Sequence, residues 1–582
     1  MNIAFLIPLP FLLALIYALA AKKNKAIGYV GAAAGLITFV FVLLAWNSQG
    51  TDSFIWFDAG TVIFSWTVMT DNLSLLLSAI ISGIGALIFL YSVGYLEPDE
   101  DLKRYYAEMA LFAASMLGVV TSANLFQTFF CWELVGVSSY LLIGFWHEKE
   151  SAIAAARKAF ITIIIGDAFF LAAILLLFRE YGTFSIPILL SAARANSVTV
   201  IAGFCIIVGA ISKSAQFPLH TWLPDAMEGP TPVSAFLHSA AMVKAGLFIV
   251  ARFLPLLLLV GLSPVIIIIA VITIIISACM ALVENDVKRV LAYSTMNQLA
   301  FILLTLGLGA TAAGLYHLLN HSVFKALLFM VAGAIIHLAG TQDITKMNLK
   351  LGWNLLAVTT AIGAIALAGL PPFSGFFSKD AIFEAVLASH SVALIAVFSL
   401  AIILSAAYIF RWYFLIFRKD GFVSGFHWEM KLPLPVLATL AALGGLATAG
   451  FFTWWHEPTP AIGLASLVST LLALAGFACA YLIYYKHAWN IERLARSPLA
   501  AVFRARFLLD DVYDALAKAV FELGAVCFWL DEHVINRLLE GTARFFSGLG
   551  AVFRRTITGK APSYLTAFVI GFIILVLAVR FA

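Results

Sequence analysis

The sequence predicts an all-α polytopic membrane protein, and three observations support this. Of the 582 residues, 63% are hydrophobic and 11% are charged, whereas soluble domains average about 25% charged residues. Hydropathy over windows of about 19 residues gives sixteen candidate spans. Two of these spans are interrupted by prolines beside an ionisable residue, an arrangement that membrane helices adopt where they line an ion path.

Composition also narrows the function. The net charge is only +4, and no basic tract suited to nucleic acid is present. The 5 cysteines stand singly in apolar segments without a C-x-x-C pair, so neither a disulfide framework nor a cysteine-ligated metal is expected. No Gly-rich phosphate loop, nucleotide fingerprint or haem-ligand pattern occurs. We therefore expect no cofactor and no metal in this chain, and we expect the driving reaction elsewhere.

The N-terminal region, residues 1–105, is predicted to hold three spans and a hairpin. Apolar segments lie near 3–20, 27–46 and 72–94. The first has no preceding basic region and no small-residue cleavage site, so we interpret it as a span rather than a signal peptide. Residues 47–70 contain no Lys or Arg and alternate as a short β-hairpin does.

Residues 106–258 and 264–417 are predicted to form two five-helix bundles. The helix broken near Pro218 has a counterpart five spans later, broken at Pro371-Pro372. Two broken spans in corresponding positions indicate an inverted repeat. The candidate spans of the two bundles lie near 106–122, 124–146, 157–178, 198–217, 232–258, 264–284, 290–306, 311–338, 355–390 and 391–417.

The C-terminal part predicts additional spans within 433–485, a surface helix and a final anchor span at 563–581. Residues 508–556 are too charged to span, yet their charged residues recur at helical spacing opposite Leu, Val, Phe and Trp. This pattern predicts an amphipathic lateral helix, about 70 Å long if unbroken. Two shorter helices with a turn at Gly524 or Gly541 are the alternative.

The distribution of basic residues predicts the orientation. Most Lys and Arg residues of the loops fall on one side, which the positive-inside rule makes cytoplasmic, and both termini then face outward. The cytoplasmic set is Lys22, Lys23, Lys25, Lys103, Arg104, Lys149, Lys158, Lys288, Arg289, Lys346, Lys350, Arg418 and Lys419.

Two oppositely charged residues at bilayer depth are the first candidates for ion transfer. Glu133 has about eight uncharged residues on either side, and an apolar helix carries Lys213 at bilayer depth, shortly before Pro218. Intramembrane charges are costly and usually functional, so we expect the two to pair. Removal from water favours the neutral forms, so opening and closing the pair would release and capture a proton. A structural hydrogen-bonding role for Glu133 is the alternative.

Three titratable residues, His317, His321 and Lys325, recur at i, i+4 and i+8 and therefore line one stripe of a helix. We interpret the stripe as a proton relay. Zinc binding by the two histidines is the alternative, but no third ligand lies alongside them.

Further candidates flank the two breaks. His238 and Lys244 extend the relay on the span after the first break, and Asp167 is a candidate that could equally be structural. Lys379 and Asp380, at the second break, are interpreted as an exit gate. An interfacial lysine that snorkels to the membrane surface is the alternative for Lys379.

Four motifs resemble the antiporter-like subunits of respiratory complex I, most closely subunit L, and the resemblance covers nearly the whole chain. They are WELVGVSSYLLIGFW at 132–146, ISKSAQFPLHTWLPDAMEGPTPVSAFLHSA at 211–240, HLLNHSVFKALLF at 317–329 and GLPPFSGFFSKD at 369–380. The lateral helix followed by a terminal anchor resembles a feature of subunit L that its sister subunits lack.

The resemblance implies a proton-translocating subunit in a prokaryotic inner (plasma) membrane. It also implies neighbouring antiporter-like subunits, and flavin, Fe–S clusters and quinone on partner subunits. Residues matching the family's motifs take the family's roles by position. They are the coupling pair Glu133 and Lys213, the hydrated relay His238, His317, His321 and Lys325, the terminal Lys379 and the channel-side acid Asp167.

Two departures leave other assemblies open. Ile164 stands where subunit L typically has an arginine, and Lys244 stands where a small or apolar residue is typical. The stretch around Lys244 and residues 341–344 (TQDI) resemble Mrp-type sodium/proton antiporter subunits instead. A ferredoxin- or hydrogenase-linked relative, a secondary Na⁺/H⁺ antiporter, a bicarbonate-uptake partner and a passive scaffold are the alternatives to a complex I-like subunit.

Overall fold

The structure is a computed structural model in which helices dominate. It describes residues 3–21, 25–46, 49–58, 60, 63–96, 101–418, 421, 425–488 and 497–581. Lys22, Lys23 and Lys419, used above for orientation, and parts of the 47–70 segment lie outside the described residues.

The N-terminal region contains three long helices and a hairpin. After a 3₁₀ turn at Ile3–Leu6 come α1 (Leu9–Ala20), α2 (Ala26–Ala45), β1 (Gly50–Asp58), β2 (Ile63–Thr70) and α3 (Asn72–Tyr95). The two strands pair antiparallel, from Gly50 opposite Thr70 to Asp58 opposite Ile63, as the alternation predicts.

Asp71 ties the start of α3 to the rest of the protein. Its carboxylate accepts from the Ser74 backbone N–H at 2.8 Å and from Arg252 Nη2 at 3.0 Å. Burial acts to raise the pKa of Asp71, but Arg252 and the Ser74 hydrogen bonds outweigh it and hold that pKa below its ordinary value. The carboxylate is therefore charged at neutral pH and anchors the helix start.

The helix that carries Lys213 is broken, as its prolines predict. The helices up to the break are α4 (Leu102–Thr121), α5 (Leu125–Ile143), α6 (Glu150–Tyr181), α7 (Ile186–Ala192) and α8 (Ser197–Lys213), and α9 (Trp222–Asp225) follows it. Trp222 Nε1 donates to the Ser212 carbonyl at 3.0 Å, and the Phe217 N–H donates to Thr273 Oγ1 at 3.0 Å. Such partners make a break tolerable at membrane depth.

A second irregularity follows in the next span, which the prolines do not mark. Helix α10 (Thr231–Ala235) passes through a π-helical turn at Phe236–Ala240 into α11 (Met242–Arg252). Such π turns are frequent at functional sites. The chain continues through α12 (Leu254–Leu259), α13 (Ser263–Val283), α14 (Val287–Gly307) and α15 (Thr311–Ala339).

The second proline-marked break separates α16 (Leu355–Ala368) from α17 (Ser374–Ala388). Gly369 ends α16 with φ +82°, a conformation that favours glycine. A Cβ on Gly375 would lie 1.7 Å from the Ala366 carbonyl oxygen, so only glycine lets α17 begin this close to α16. Helix α18 (Val392–Ile416) follows, and β3 (Leu349–Lys350) pairs parallel with β4 (Phe417–Arg418).

Between α18 and residue 507 the described residues form α19 (Trp428–Lys431), α20 (Pro433–Leu443), α21 (Thr448–Trp454), α22 (Leu464–Ala480) and α23 (Pro498–Arg504). The chain divides into two compact units, residues 1–507 and 508–582.

The second unit contains α24 (Leu509–Leu530), a π turn at Asp531–Ile535, α25 (Asn536–Thr556) and α26 (Ala561–Phe581). The backbone is helical from Leu509 to Thr556, and neither Gly524 nor Gly541 turns the chain. Ion pairs at i, i+4 link Arg544 to Glu540 at 2.8 Å and Lys518 to Glu522 at 4.0 Å, and large apolar side chains are exposed along this helix.

The protein is a multi-pass membrane protein. Within the described residues, 12 helices are long and apolar enough to cross a membrane, and three shorter apolar helices accompany them: Leu9–Ala20, Ser197–Lys213 and Leu355–Ala368. The spans Thr231–Arg252 and Val287–Gly307 are buried along the whole of their apolar windows. The centre of the first unit is therefore formed by these spans and α15, and it contains His238, Lys244 and the α15 stripe.

Candidate functional site: a line of buried titratable residues

Lys213, the last residue of α8, lies in a fully buried pair with Asp167 of α6. The ammonium Nζ is 3.4 Å from Asp167 Oδ2, donates to the Trp132 carbonyl at 3.0 Å and lies 4.6 Å from the centre of the Trp132 ring. Asp167 Oδ1 also accepts from Trp132 Nε1 at 2.6 Å. The lysine is thus held by a carboxylate, a carbonyl and an aromatic face.

The acid that contacts Lys213 differs from the one expected. Glu133 is half-buried, and within the described part of the chain it has no salt-bridge or hydrogen-bond partner, although it interacts electrostatically with Asp167 and Lys213. The reason is helical phase. Trp132 and Gly136 present one face of α5 to Lys213, whereas Glu133 and Val137 lie on the neighbouring, more exposed face.

Glycines bring the two charged residues together. A Cβ on Gly166 would lie 2.0 Å from Ser212 Oγ, and one on Gly209 would lie 2.7 Å from Phe170 Cβ. The backbones of α6 and α8 therefore approach closely at the level of Asp167 and Lys213. Gly136 leaves space beside the pair, because its Cβ would lie 3.3 Å from Lys213 Nζ.

The span after the first break contributes His238 and Lys244, both fully buried. His238 lies in the π turn, and neither ring nitrogen has a hydrogen-bond partner among the described residues; its ring centre is 5.6 Å from that of Phe329. Lys244 Nζ donates to the Ser239 carbonyl and to Ser322 Oγ. Lys244 therefore links α11 to α15, the helix of the histidine stripe.

The stripe of α15 is fully buried. His317 Nδ1 lies 2.9 Å from Ser378 Oγ, and its Nε2 lies 3.2 Å from Gln298 Oε1. The His317 and His321 ring centres are 6.3 Å apart, and His321 has no partner for either nitrogen among the described residues. Lys325 Nζ donates to the Leu291 carbonyl at 3.1 Å.

Lys379 and Asp380 are adjacent in sequence but contact different helices. Lys379 is only 2% exposed and donates to Ser405 Oγ at 2.9 Å and to the Ala368 carbonyl at 3.3 Å. It therefore does not snorkel to the membrane surface. Asp380 Oδ2 accepts from Ser466 Oγ of α22 at 2.6 Å. The two residues thus do not form a pair.

Sequence reasoning missed a polar network between α14 and α18. The Tyr408 hydroxyl accepts from Ser294 Oγ at 2.9 Å and from Gln298 Nε2 at 3.4 Å, and Gln298 connects this network to His317. The available signal was the polar run STMNQ at 294–298 inside an otherwise apolar span. Because the span is wholly buried, Ser294 and Gln298 bond to Tyr408, and Gln298 also bonds to His317.

The arrangement can hold and transfer protons. The lysines and histidines belong to successive buried elements, and Lys244, His317 and Lys379 each bond to a hydroxyl or amide side chain of another helix. Lys244 and Lys379 both act electrostatically on His317, so a change in the charge of either lysine changes the electrostatic potential at His317. Among the described residues, no cluster of three or more His, Cys, Asp or Glu could hold a metal ion.

Fold and site together define a polytopic membrane protein with a buried line of titratable groups at a broken helix, the class to which ion-translocating subunits belong. The family model described as "NADH:quinone oxidoreductase/Mrp antiporter, TM" matches residues 122–405, and that described as "NADH-Ubiquinone oxidoreductase (complex I), chain 5 N-terminus" matches residues 56–106. The chain belongs to the family of NADH:quinone oxidoreductase and Mrp antiporter membrane subunits, as its motifs predict.

Relatives from two organisms match most of the chain. The F(420)H(2) dehydrogenase subunit L of Methanosarcina mazei is 37% identical, with 88% of this chain and 87% of that protein covered. The NADH-quinone oxidoreductase subunit L of Neisseria meningitidis is 33% identical, with 90% and 89% covered.

Two solved structures share the fold. A chain of the Mrp complex from Dietzia sp. DQ12-45-1b superposes with a TM-score of 0.78 at 27% identity; 95% of this chain is covered, but only 63% of that chain. A chain of the membrane-bound sulfane sulfur reductase, an archaeal respiratory membrane complex, superposes with a TM-score of 0.71 at 24% identity, covering 81% of this chain and 99% of that chain.

Proposed function

We propose that this chain is the proton-translocating membrane subunit of a redox-driven, complex I-like oxidoreductase. In this proposal the line from Glu133 through Lys213, His238, Lys244 and the α15 stripe to Lys379 moves protons. Relatives named as subunits of F(420)H(2) dehydrogenase and NADH-quinone oxidoreductase support membership in an oxidoreductase complex. The electron-transfer cofactors belong to partner subunits.

The observation that carries the proposal is the buried Lys213–Asp167 pair at the end of a broken helix. A purely structural ion pair of this depth is weak support for stability, because desolvation offsets the attraction between the charges. A pair that opens can instead release and take up a proton. Glu133, in electrostatic range of both residues, is the second acid toward which Lys213 can turn.

We order the transfer by the succession of elements that carry these groups. Lys213 holds a proton while Asp167 and the Trp132 carbonyl accept from it. When the pair opens, the proton passes by way of His238 to Lys244, whose hydrogen bond to Ser322 reaches α15. His317 and the Ser378 hydroxyl then connect to α17, which carries Lys379. Asp380, which accepts from Ser466 of α22, would act with Lys379 at the exit side.

The finer architecture is part of the same proposal. Sixteen spans, two inverted five-helix repeats at 106–258 and 264–417, and outward-facing termini in a prokaryotic inner membrane fit the helix bounds and the loop charges. The long helix Leu509–Thr556, with exposed apolar side chains, would pack along neighbouring antiporter-like subunits, and α26 would anchor it.

A secondary cation/proton antiporter is the second candidate. It is favoured by the fold shared with the Mrp complex over 95% of this chain and by Lys244, which resembles Mrp-type subunits. The same line of groups would then exchange Na⁺ for protons with no redox partner.

The two candidates are separated by purifying the tagged chain with its native partners and reconstituting the assembly in liposomes. The first requires proton uptake that starts on addition of an electron donor and a quinone and is dissipated by a protonophore. The control is the same vesicle without the donor. Uptake driven only by a Na⁺ gradient, with no response to any donor, would establish the antiporter instead.

A further inference from the structure

A buried carboxyl group that the mechanism above does not use lies on α4. Glu108 is 7% exposed. Its Oε1 is 3.4 Å from Arg104 Nε, and its Oε2 has no hydrogen-bond partner among the described residues. A buried polar atom without a partner is costly and calls for an explanation.

The neighbouring cation does not supply that explanation. The guanidinium of Arg104 is engaged by Asp101 Oδ2 at 3.2 Å, by His147 Nδ1 at 3.0 Å and by the Phe145 carbonyl. Its Nε, the atom nearest to Glu108, makes no hydrogen bond to it. An ion pair built for stability would use both carboxylate oxygens in bidentate hydrogen bonds, so Glu108 is only loosely held.

Glu108 also lines a cavity. A space of about 170 Å³ between α4, α5 and α6 is bordered by Arg104, Glu108, Tyr140, Gly144, His147 and Ile153. It is large enough for several water molecules and offers them polar partners. It lies among basic loop residues, at the end of the bundle expected to be cytoplasmic.

Helix α5 runs from the wall of this cavity, at Tyr140, to Glu133. Gly118 of α4 packs on Cys131 of α5, since its Cβ would lie 2.6 Å from Cys131 Sγ. Glu108 lies ten residues before Gly118, and Glu133 lies two residues after Cys131, so the two carboxyls are about 12 Å apart along the helix axes. Tyr140, at the wall of the cavity, lies two turns from Glu133 on the same face of α5.

We propose that Glu108 is a proton-uptake residue that supplies Glu133. An O–H bond of a hydronium ion that enters the cavity from the aqueous side breaks as an O–H bond forms at Glu108, leaving water. The Glu108 O–H bond then breaks as an O–H bond forms at Glu133, and the intervening water is unchanged. No oxidant or reductant is needed. The inference rests on the proposed function, because it requires Glu133 to belong to the proton path, and it adds the source of the protons at this site.

The test compares Glu108→Gln with Glu108→Asp in the intact complex reconstituted in liposomes. We expect donor-driven proton uptake to slow about tenfold in Glu108→Gln, less than the roughly 100-fold or greater cost of losing a positioned proton-transfer group, because water still reaches the cavity. The ratio of rates in H₂O and D₂O should rise as uptake becomes limiting. Glu108→Asp keeps a carboxyl group and should recover part of the rate.

Glu148→Gln is the matched control, since Glu148 is an exposed carboxylate at the same end and its loss should leave the rate and isotope effect unchanged. If Glu108→Gln does not assemble, Ile153→Trp decides. Ile153 is 45% exposed and lines the cavity, whereas Ile161 of the same helix is 54% exposed and lies outside it. Filling the cavity from Ile153 should slow uptake, and Ile161→Trp should not.

The inference is overturned if assembled Glu108→Gln shows a wild-type rate and isotope effect. If Glu108→Gln cannot be assembled, a wild-type rate in Ile153→Trp overturns it. Glu133→Gln is measured beside them. If it impairs uptake while Glu108→Gln does not, the inference alone fails. If Glu133→Gln is also without effect, the proposed path through Glu133 fails with it.

Discussion

Asp167→Asn tests the ion pair at the break of α8. The substitution removes the acid in contact with Lys213 but leaves the Trp132 carbonyl at 3.0 Å and the Trp132 ring at 4.6 Å. Removing one partner of a buried pair costs about 3–5 kcal/mol. At about 1.4 kcal/mol per tenfold change, the charged Lys213 state falls in population by about 10²–10⁴-fold.

We therefore expect donor-driven proton uptake to fall about 100-fold or more, while the complex still assembles because asparagine keeps the shape of Asp167 and still accepts from Trp132 Nε1. Proton uptake per electron is measured in proteoliposomes, and assembly of the complex is measured on native gels. Ser212→Ala is the control, since its hydroxyl donates only to the Gly209 carbonyl of its own helix. Wild-type uptake in assembled Asp167→Asn would refute the reasoning.

Two further substitutions and one deletion probe other parts of the protein. Lys244→Thr removes the link from α11 to Ser322 and should slow coupled turnover and change its pH profile near neutrality; an unaltered rate and profile would remove Lys244 from the path. Deleting two turns, about seven residues, from Leu509–Thr556 should cost assembly on native gels, and an intact, active complex would contradict the bracing role. Gly375→Ala places a Cβ 1.7 Å from the Ala366 carbonyl oxygen and should lower stability by about 1–3 kcal/mol or more. The control is Gly450→Ala, which has open space around the new Cβ and should not lower stability. Equal melting temperatures of the two variants would contradict the close approach of α16 and α17.

The broken helices were predictable because proline signals act locally. Pro218 and Pro371-Pro372 mark breaks that the structure places between Lys213 and Trp222 and between Ala368 and Ser374. The π turn around His238 carries no such signal, because Phe236–Ala240 contains neither proline nor glycine.

The partner of Lys213 was not predictable from charge alone. Glu133 and Asp167 are both intramembrane acids, and the choice depends on helical phase and on the close approach of α6 and α8 at Gly166 and Gly209. Helical phase also explains why Lys379 and Asp380 contact different helices, since adjacent residues of a helix point about 100° apart. The Gln298–Tyr408 network needed the tertiary contact between α14 and α18.

The central claim, that the buried line carries the translocated protons, is tested most directly by the proton-to-electron ratio of Glu133→Gln and Lys213→Ala. Both are measured in reconstituted complexes that have been shown to assemble, beside donor oxidation in the same vesicles. Glu133 is half-buried and glutamine keeps its shape, whereas removing Lys213 leaves Asp167 as a buried, unpaired charge. The proposed relay requires a strongly lowered ratio in both variants; a wild-type ratio in both would show that the protons take another path.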